Sequence, residues 1–184
     1  MHHPPGPADL IELYGADAFR KFGEENLPTG ITDPATRRTL TDIGLPAVDE
    51  SGMAIYPWGW AGRLPEALDQ VSWPSDISAP EETGPLFQIG LWMGGELVID
   101  GRSGHVLRIP TEPDEEHLEA LPAASSLESF LTLLGLWGTG LRLKAAIEDY
   151  DEVYLLRQHV QSAQLLIDET GAEVPAWSYA FLND

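Results

Sequence analysis

The stretch from Leu86 to Trp137 constrains this chain more than any other, because its local signals spell two hairpins running into a helix. Phe87, Ile89 and Leu91 alternate with Gln88, Gly90 and Trp92, the period of a half-buried strand. Gly94-Gly95 supplies two permissive positions for a tight turn, and Glu96 to Asp100 is the returning strand. Asp100-Gly101-Arg102-Ser103-Gly104 reads as a second turn, since glycine tolerates positive φ and Asp bonds its own backbone. His105 to Ile109 is the third strand, stopped by Pro110, which has no amide to donate.

Ser125 and Glu128 then have the spacing of a capping box. Leu127, Phe130, Leu131 and Leu134 follow at i, i+3, i+4 and i+7, one apolar stripe on a helix over 126–137, with Gly138 as its stop. A sheet with a helix laid on it makes two layers and a core. The expected fold is therefore α+β: one domain with a small antiparallel sheet and helices packed against it.

The remainder is read from weaker signals. Residues 1–7 are Pro-rich and expected to form a disordered tail, leaving 8–184 as the single domain. Leu10 to Tyr14 suggest a short helix with Asp9 near its start and Gly15 after it, and a second runs from Pro34 to Ile43, closed by Gly44. Arg20-Lys21, a rare basic pair, reads as a solvated helix face. Between Asp49 and Thr83 the pattern is least legible, apart from a helical reading of Leu64 to Val71 and a loop from Trp73 onward. Val153, Leu156, Val160, Ala163 and Ile167 form the stripe of a long amphipathic helix closing at Gly171. Pro175 starts a last short helix carrying Trp177, Tyr179 and Phe181 to the core.

Several of these residues carry a resemblance. Thr36, Arg37, Leu40 and Gly44-Leu45-Pro46, then Phe87 to Gly90, Val98 to Gly101, Gly104-His105-Val106 and Ser125 to Phe130, resemble the SUKH superfamily. More narrowly, the chain is similar to the fourth family of SUKH immunity proteins, common in bacterial polymorphic-toxin loci. The resemblance implies a SUKH-like fold and a non-enzymatic immunity protein that binds and neutralises a cognate toxin domain. The toxins of such loci are prominently nucleases and nucleic-acid deaminases. Two competing expectations stand beside it: a regulatory or scaffold protein of the same fold with a non-toxin partner, and an enzyme with a hidden site.

Charge bears on the partner. Ten Lys and Arg against 30 Asp and Glu give a formal net charge of −20, which repels nucleic-acid backbones and anionic membranes and attracts basic proteins. Disorder does not follow, because 43% of the residues are hydrophobic and six are Trp. With no cysteine there is no disulfide and no thiolate, and the start Met1-His2-His3-Pro4-Pro5 lacks a basic-then-apolar signal, so a cytoplasmic location is expected. No apolar run approaches the roughly 20 residues that span a bilayer.

The residues yield no catalytic constellation. His105, His117 and His159 lack an i, i+4 partner, and Gly138-Thr139-Gly140 lacks the third glycine of a dinucleotide loop and reads as a helix-ending turn. Asp100 belongs to its turn, and the Ser125-Ser126 pair to a helix cap. No catalytic residue, metal or cofactor is expected. A partner site is expected instead, at Glu112, Asp114, Glu115 and Glu116 with Asp149, Asp151 and Glu152, the densest acidic clusters, and at Trp58 and Trp60 as apolar anchors. A solvated charged loop and an aromatic core segment are the plainer readings of the same residues.

Overall fold

The computed structural model describes residues 7–57, 68–75, 77, 83–111, 120–172 and 177. Pro7–Tyr14 (α1) comes first, then the two-residue strand Phe19–Arg20 (β1), the helix Pro34–Asp42 (α2) and the strand Leu45–Pro46 (β2), which pairs with β1. Val48–Glu50 (β3) and Met53–Ile55 (β4) form a hairpin, and Gln70–Val71 (β5) is a short strand. Leu86–Trp92 (β6), Gly95–Asp100 (β7), Val106–Pro110 (β8) and Leu121–Ala124 (β9) follow. The helices Leu127–Lys144 (α3), Tyr150–Ile167 (α4) and Glu169–Ala172 (α5) come after the strands.

The three predicted strands, 86–92, 96–100 and 105–109, are consecutive and antiparallel as β6, β7 and β8, their ends moved by one residue. The sheet built on them is larger than expected, with order β3-β4-β6-β7-β8-β9 and β5 lying beside the first half of β6. The hairpin turn is Met93-Gly94, at φ +46° and +72°, and not Gly94-Gly95. Trp92 pairs with Gly95, so only two residues remain for the loop and both take the left-handed conformation of a tight hairpin. A bulge between Gln88 and Gly90 breaks the expected alternation of β6 and turns Trp92 into the core, leaving Leu91 half-buried.

The helix layer covers one sheet face. Phe87, Ile89, Trp92, Leu97, Ile99 and Val106 join Leu127, Phe130, Leu131, Leu134 and Trp137 of α3 in one apolar cluster. Trp177 sits inside it with ring centroids 4.4 Å from Trp92, 5.7 Å from Phe130 and 6.2 Å from Trp137, and its indole N–H donates to the Ala123 carbonyl at 3.1 Å. Tyr179 and Phe181 lie outside the described residues. On the opposite face Leu86, Val98, Leu107 and Ile109 pack with Ile77, flanked by Trp73, whose indole N–H donates to the Ile77 carbonyl at 2.6 Å.

Helix ends follow their capping chemistry, and two depart from expectation. Asp33 caps α2 by accepting from the Thr36 amide at 2.7 Å, as the start signals predict. For α3 the cap is Ser126, whose hydroxyl accepts from the Ser129 amide at 3.0 Å, and not Ser125. Ser125 is occupied elsewhere: its amide and hydroxyl both donate to Asp168 Oδ2, at 2.6 and 2.8 Å, tying the end of α4 to the start of α3. Gly138 does not stop α3. The helix continues to Lys144, absorbing the turn expected at 138–140, because Gly138 is where α1 crosses it. A Cβ there would stand 2.4 Å from the Tyr14 hydroxyl and 2.8 Å from Leu13 Cδ2.

Three further expectations change. Arg20 lies on β1 and not on a helix face, half-buried, with its guanidinium donating to the Pro57 carbonyl at 2.7 Å and standing 5.2 Å over the Phe22 ring. The helix suggested for Leu64 to Val71 falls largely outside the described residues, and its end is β5. The long helix, α4, closes at Asp168 and not at Gly171. Residues 1–6 of the expected tail are also outside the described residues. Layers, topology and element content make this an α+β fold, with all described strand pairs antiparallel.

Candidate functional site

Of the nine residues expected to meet a partner, three are described. Glu112, Asp114, Glu115, Glu116, Trp58 and Trp60 lie outside the described residues. Asp149, Asp151 and Glu152 gather at the start of α4, all exposed, next to the exposed Glu148. Carboxylates are favoured at this end by the partial positive charge of the unpaired amides. Asp149 is also a helix cap, because its Oδ1 accepts from the Asp151 amide at 2.8 Å and the Glu152 amide at 3.3 Å and so starts α4.

The structure adds to this acidic turn a set of residues that the sequence pattern does not reveal. Tyr150 is 79% exposed, Tyr154 51%, Leu155 62%, Leu165 55% and Leu166 89%. Among the described residues the remaining exposed large apolar side chains are Ile11 and Leu143. The predicted stripe of α4 does face the body of the protein: Val160 is buried, and Val153, Leu156, Ala163 and Ile167 are half-buried. The signal is present in the composition of α4, which has leucine and tyrosine at outward positions as well as in its inward stripe.

The groups considered for chemistry are committed or apart. Asp100 is buried, its Oδ1 accepting from the amides of Arg102 at 2.8 Å and Ser103 at 3.1 Å and its Oδ2 from Gly84 at 3.0 Å, which is the turn role expected. His105 and His159 are exposed, and His117 lies outside the described residues. Among the described residues no three His, Asp or Glu side chains gather as metal ligands would. Burial lifts the pKa of the Tyr14 hydroxyl above the ordinary value of 10.0, the Glu50 carboxylate adds to the rise, and Arg142 offsets part of it. No described helix is long and apolar enough to cross a membrane.

Among the described residues these groups are held in turns and caps or stand apart, and the family is decided by comparison with a family model. The model of the SUKH-4 immunity protein family matches residues 6–177. The chain belongs to the SUKH-4 immunity protein family. No curated protein and no solved structure matches it. In this SUKH-4 protein the residues that carried the resemblance fall on α2 and β2, on β6, on the end of β7, in the turn after it, at the start of β8 and at the start of α3. Most of those are core and turn positions, which mark the fold and say little of a partner surface. The turn is tied in by the Gly101 carbonyl, which accepts from the amides of Thr32 at 2.6 Å and Asp33 at 3.1 Å and so anchors α2 to the sheet.

Proposed function

We propose that this SUKH-4 immunity protein binds a toxin domain made by the same cell, in the cytoplasm, and blocks it by occupying its surface, without catalysis and without a cofactor. The match of the family model over residues 6–177 carries the reading. The net charge of −20 supports a partner with a basic surface, and enzymes acting on nucleic acids have one, so a nuclease or nucleic-acid deaminase is the toxin class proposed. Charge steers the encounter: Glu112, Asp114, Glu115 and Glu116, with Asp149, Asp151 and Glu152, form the acidic part of the contact, and Trp58 and Trp60 are apolar anchors at its centre.

The test is protection of cells that express the C-terminal toxin domain encoded beside this chain. The wild-type protein restores growth and binds the purified, inactivated domain, with association slowing as salt rises. Reversing Glu115 and Glu116 to Lys lowers the association rate and leaves the fold intact. A wild-type chain that neither protects nor binds overturns the reading in favour of a scaffold with a non-toxin partner.

A further inference from the structure

α4 is apolar on two sides, and the fold accounts for one of them. The inward side packs on α3 through Leu156, Val160 and Ile167. At 3.6 residues per turn, Asp151, Leu155, Gln158, Ser162 and Leu166 fall on a single line along the opposite side, flanked by Tyr154 and Leu165. Leu155 and Leu166 stand about 16 Å apart along the axis. The outward side of an ordinary surface helix is polar; on α4 Asp151, Gln158, His159 and Ser162 share it with exposed leucines and tyrosines. Here the outer half is in solvent, with Leu166 89% exposed.

We propose that this outward face of α4 docks into an apolar groove with basic rims on the neutralised toxin domain, an assignment that rests on the immunity reading and gives it a location. Two of the polar residues at the middle of the face bond within the helix: the Gln158 amide donates to the Tyr154 hydroxyl at 2.9 Å and the Ser162 hydroxyl to the Gln158 carbonyl at 2.9 Å. Burying them therefore leaves few donors stranded. An amphipathic helix laid in a groove by apolar anchors is a recurrent recognition mode, and here Tyr150 and Tyr154 are four residues apart and Leu155 and Leu166 eleven.

Charge selects the occupant. No Lys or Arg is exposed on α4; Arg157 is half-buried on the inward side. Acids stand at both ends of the face, Asp151 and Glu152 ahead of Leu155 and Glu169 after Leu166, all exposed. A second copy laid antiparallel would set Glu169 against Asp151 and Glu152, and one laid parallel would set each acid against itself, with −20 on each chain. An anionic bilayer is repelled by the same charges. A protein groove lined with Lys or Arg satisfies both the leucines and the acids.

The experiment uses the full chain and, as probe, the purified inactivated toxin domain encoded beside it. In the double variant Leu155→Gln/Leu166→Gln, length, charge and helix propensity are kept while two apolar ends become amides. Its thermal melt should match wild type, and its affinity should fall about 100-fold, mainly through faster dissociation. Leu155→Met/Leu166→Met should bind within a few-fold of wild type. Should the double variant melt early, Leu166→Gln alone carries the test, with a loss of about 10-fold. Wild-type binding matched by the Gln variants overturns the docking face and leaves the immunity reading standing. A wild type that does not bind overturns both. A wild-type dimer that the Gln variant splits, with toxin affinity unchanged, assigns the face to a second copy and overturns the proposal.

Discussion

α3 and α4 are each 18 residues long, run side by side and are both rich in leucine, yet the fold treats them differently. α3 sinks Leu127, Phe130, Leu131, Leu133, Leu134 and Trp137 into the core and leaves Glu128, Thr139 and Arg142 in water. α4 buries Val160 and Gln164 and holds Tyr150, Tyr154, Leu155, Leu165 and Leu166 in solvent. Core formation explains the leucines in α3 apart from the exposed Leu143 near its end. It explains one of the four in α4, Leu156, and leaves Leu155, Leu165 and Leu166 exposed, the face proposed above for a partner.

The largest effect should come from α3. Phe130 is fully buried against Trp177, and Phe130→Ala should lower unfolding free energy by ~3–5 kcal/mol in denaturant titrations. A loss under about 1 kcal/mol would mean that the face of α3 is misassigned.

The caps come next and apply to both helices. Ser126→Ala at the start of α3 and Asp149→Ala at the start of α4 should each cost ~1 kcal/mol, since each side chain accepts from backbone amides of the first turn. Asp151→Ala, whose carboxylate is in solvent, should cost less than Asp149→Ala. Equal losses would show that Asp149 acts only as surface charge.

The contact between α1 and α3 adds a pH signature. The folded-state pKa of Tyr14 is raised, chiefly by burial, so its contribution to stability is complete below pH 10.0 and is lost as pH rises above that value, where the unfolded chain ionises first. The Tyr14 hydroxyl has no hydrogen-bond partner among the described residues, so Tyr14→Phe should fold as stably as wild type at neutral pH and lose less stability at high pH. Parallel alkaline stability curves for the two proteins would contradict this.

The smallest effects should fall on the outside of α4. Leu155→Ala and Leu166→Ala should each change stability by no more than ~0.5 kcal/mol. If either approached the cost of Phe130→Ala, the outer face would be packed and the contrast between the two helices would disappear.

How much of this is legible in the sequence follows from the range of each signal. β6 to β8 and the start of α3 are readable because alternation, turn residues and caps act over a few positions. β3 and β4 escape notice because three-residue strands are too short to alternate, although Ser51-Gly52, at φ +46° and +79°, marks their turn. β9, Leu-Pro-Ala-Ala, has no strand character of its own; pairing with β8 creates it. The shift of the α3 cap from Ser125 to Ser126 depends on Asp168, 43 residues away, which no local pattern reveals. At the candidate surface the acids of α4 are visible as a charge cluster. The outward leucines and tyrosines are not, because exposure is a property of packing and not of period.

Amide hydrogen exchange on the immunity protein, free and bound to the inactivated toxin domain, tests the contrast between the two helices most directly. The backbone of α4 from Tyr150 to Leu166 should gain protection on binding, while α3, already covered on the sheet side by the core, should change little. Gained protection elsewhere with α4 exchanging as in the free protein would contradict the account, and would leave its outward leucines as exposed surface with no partner.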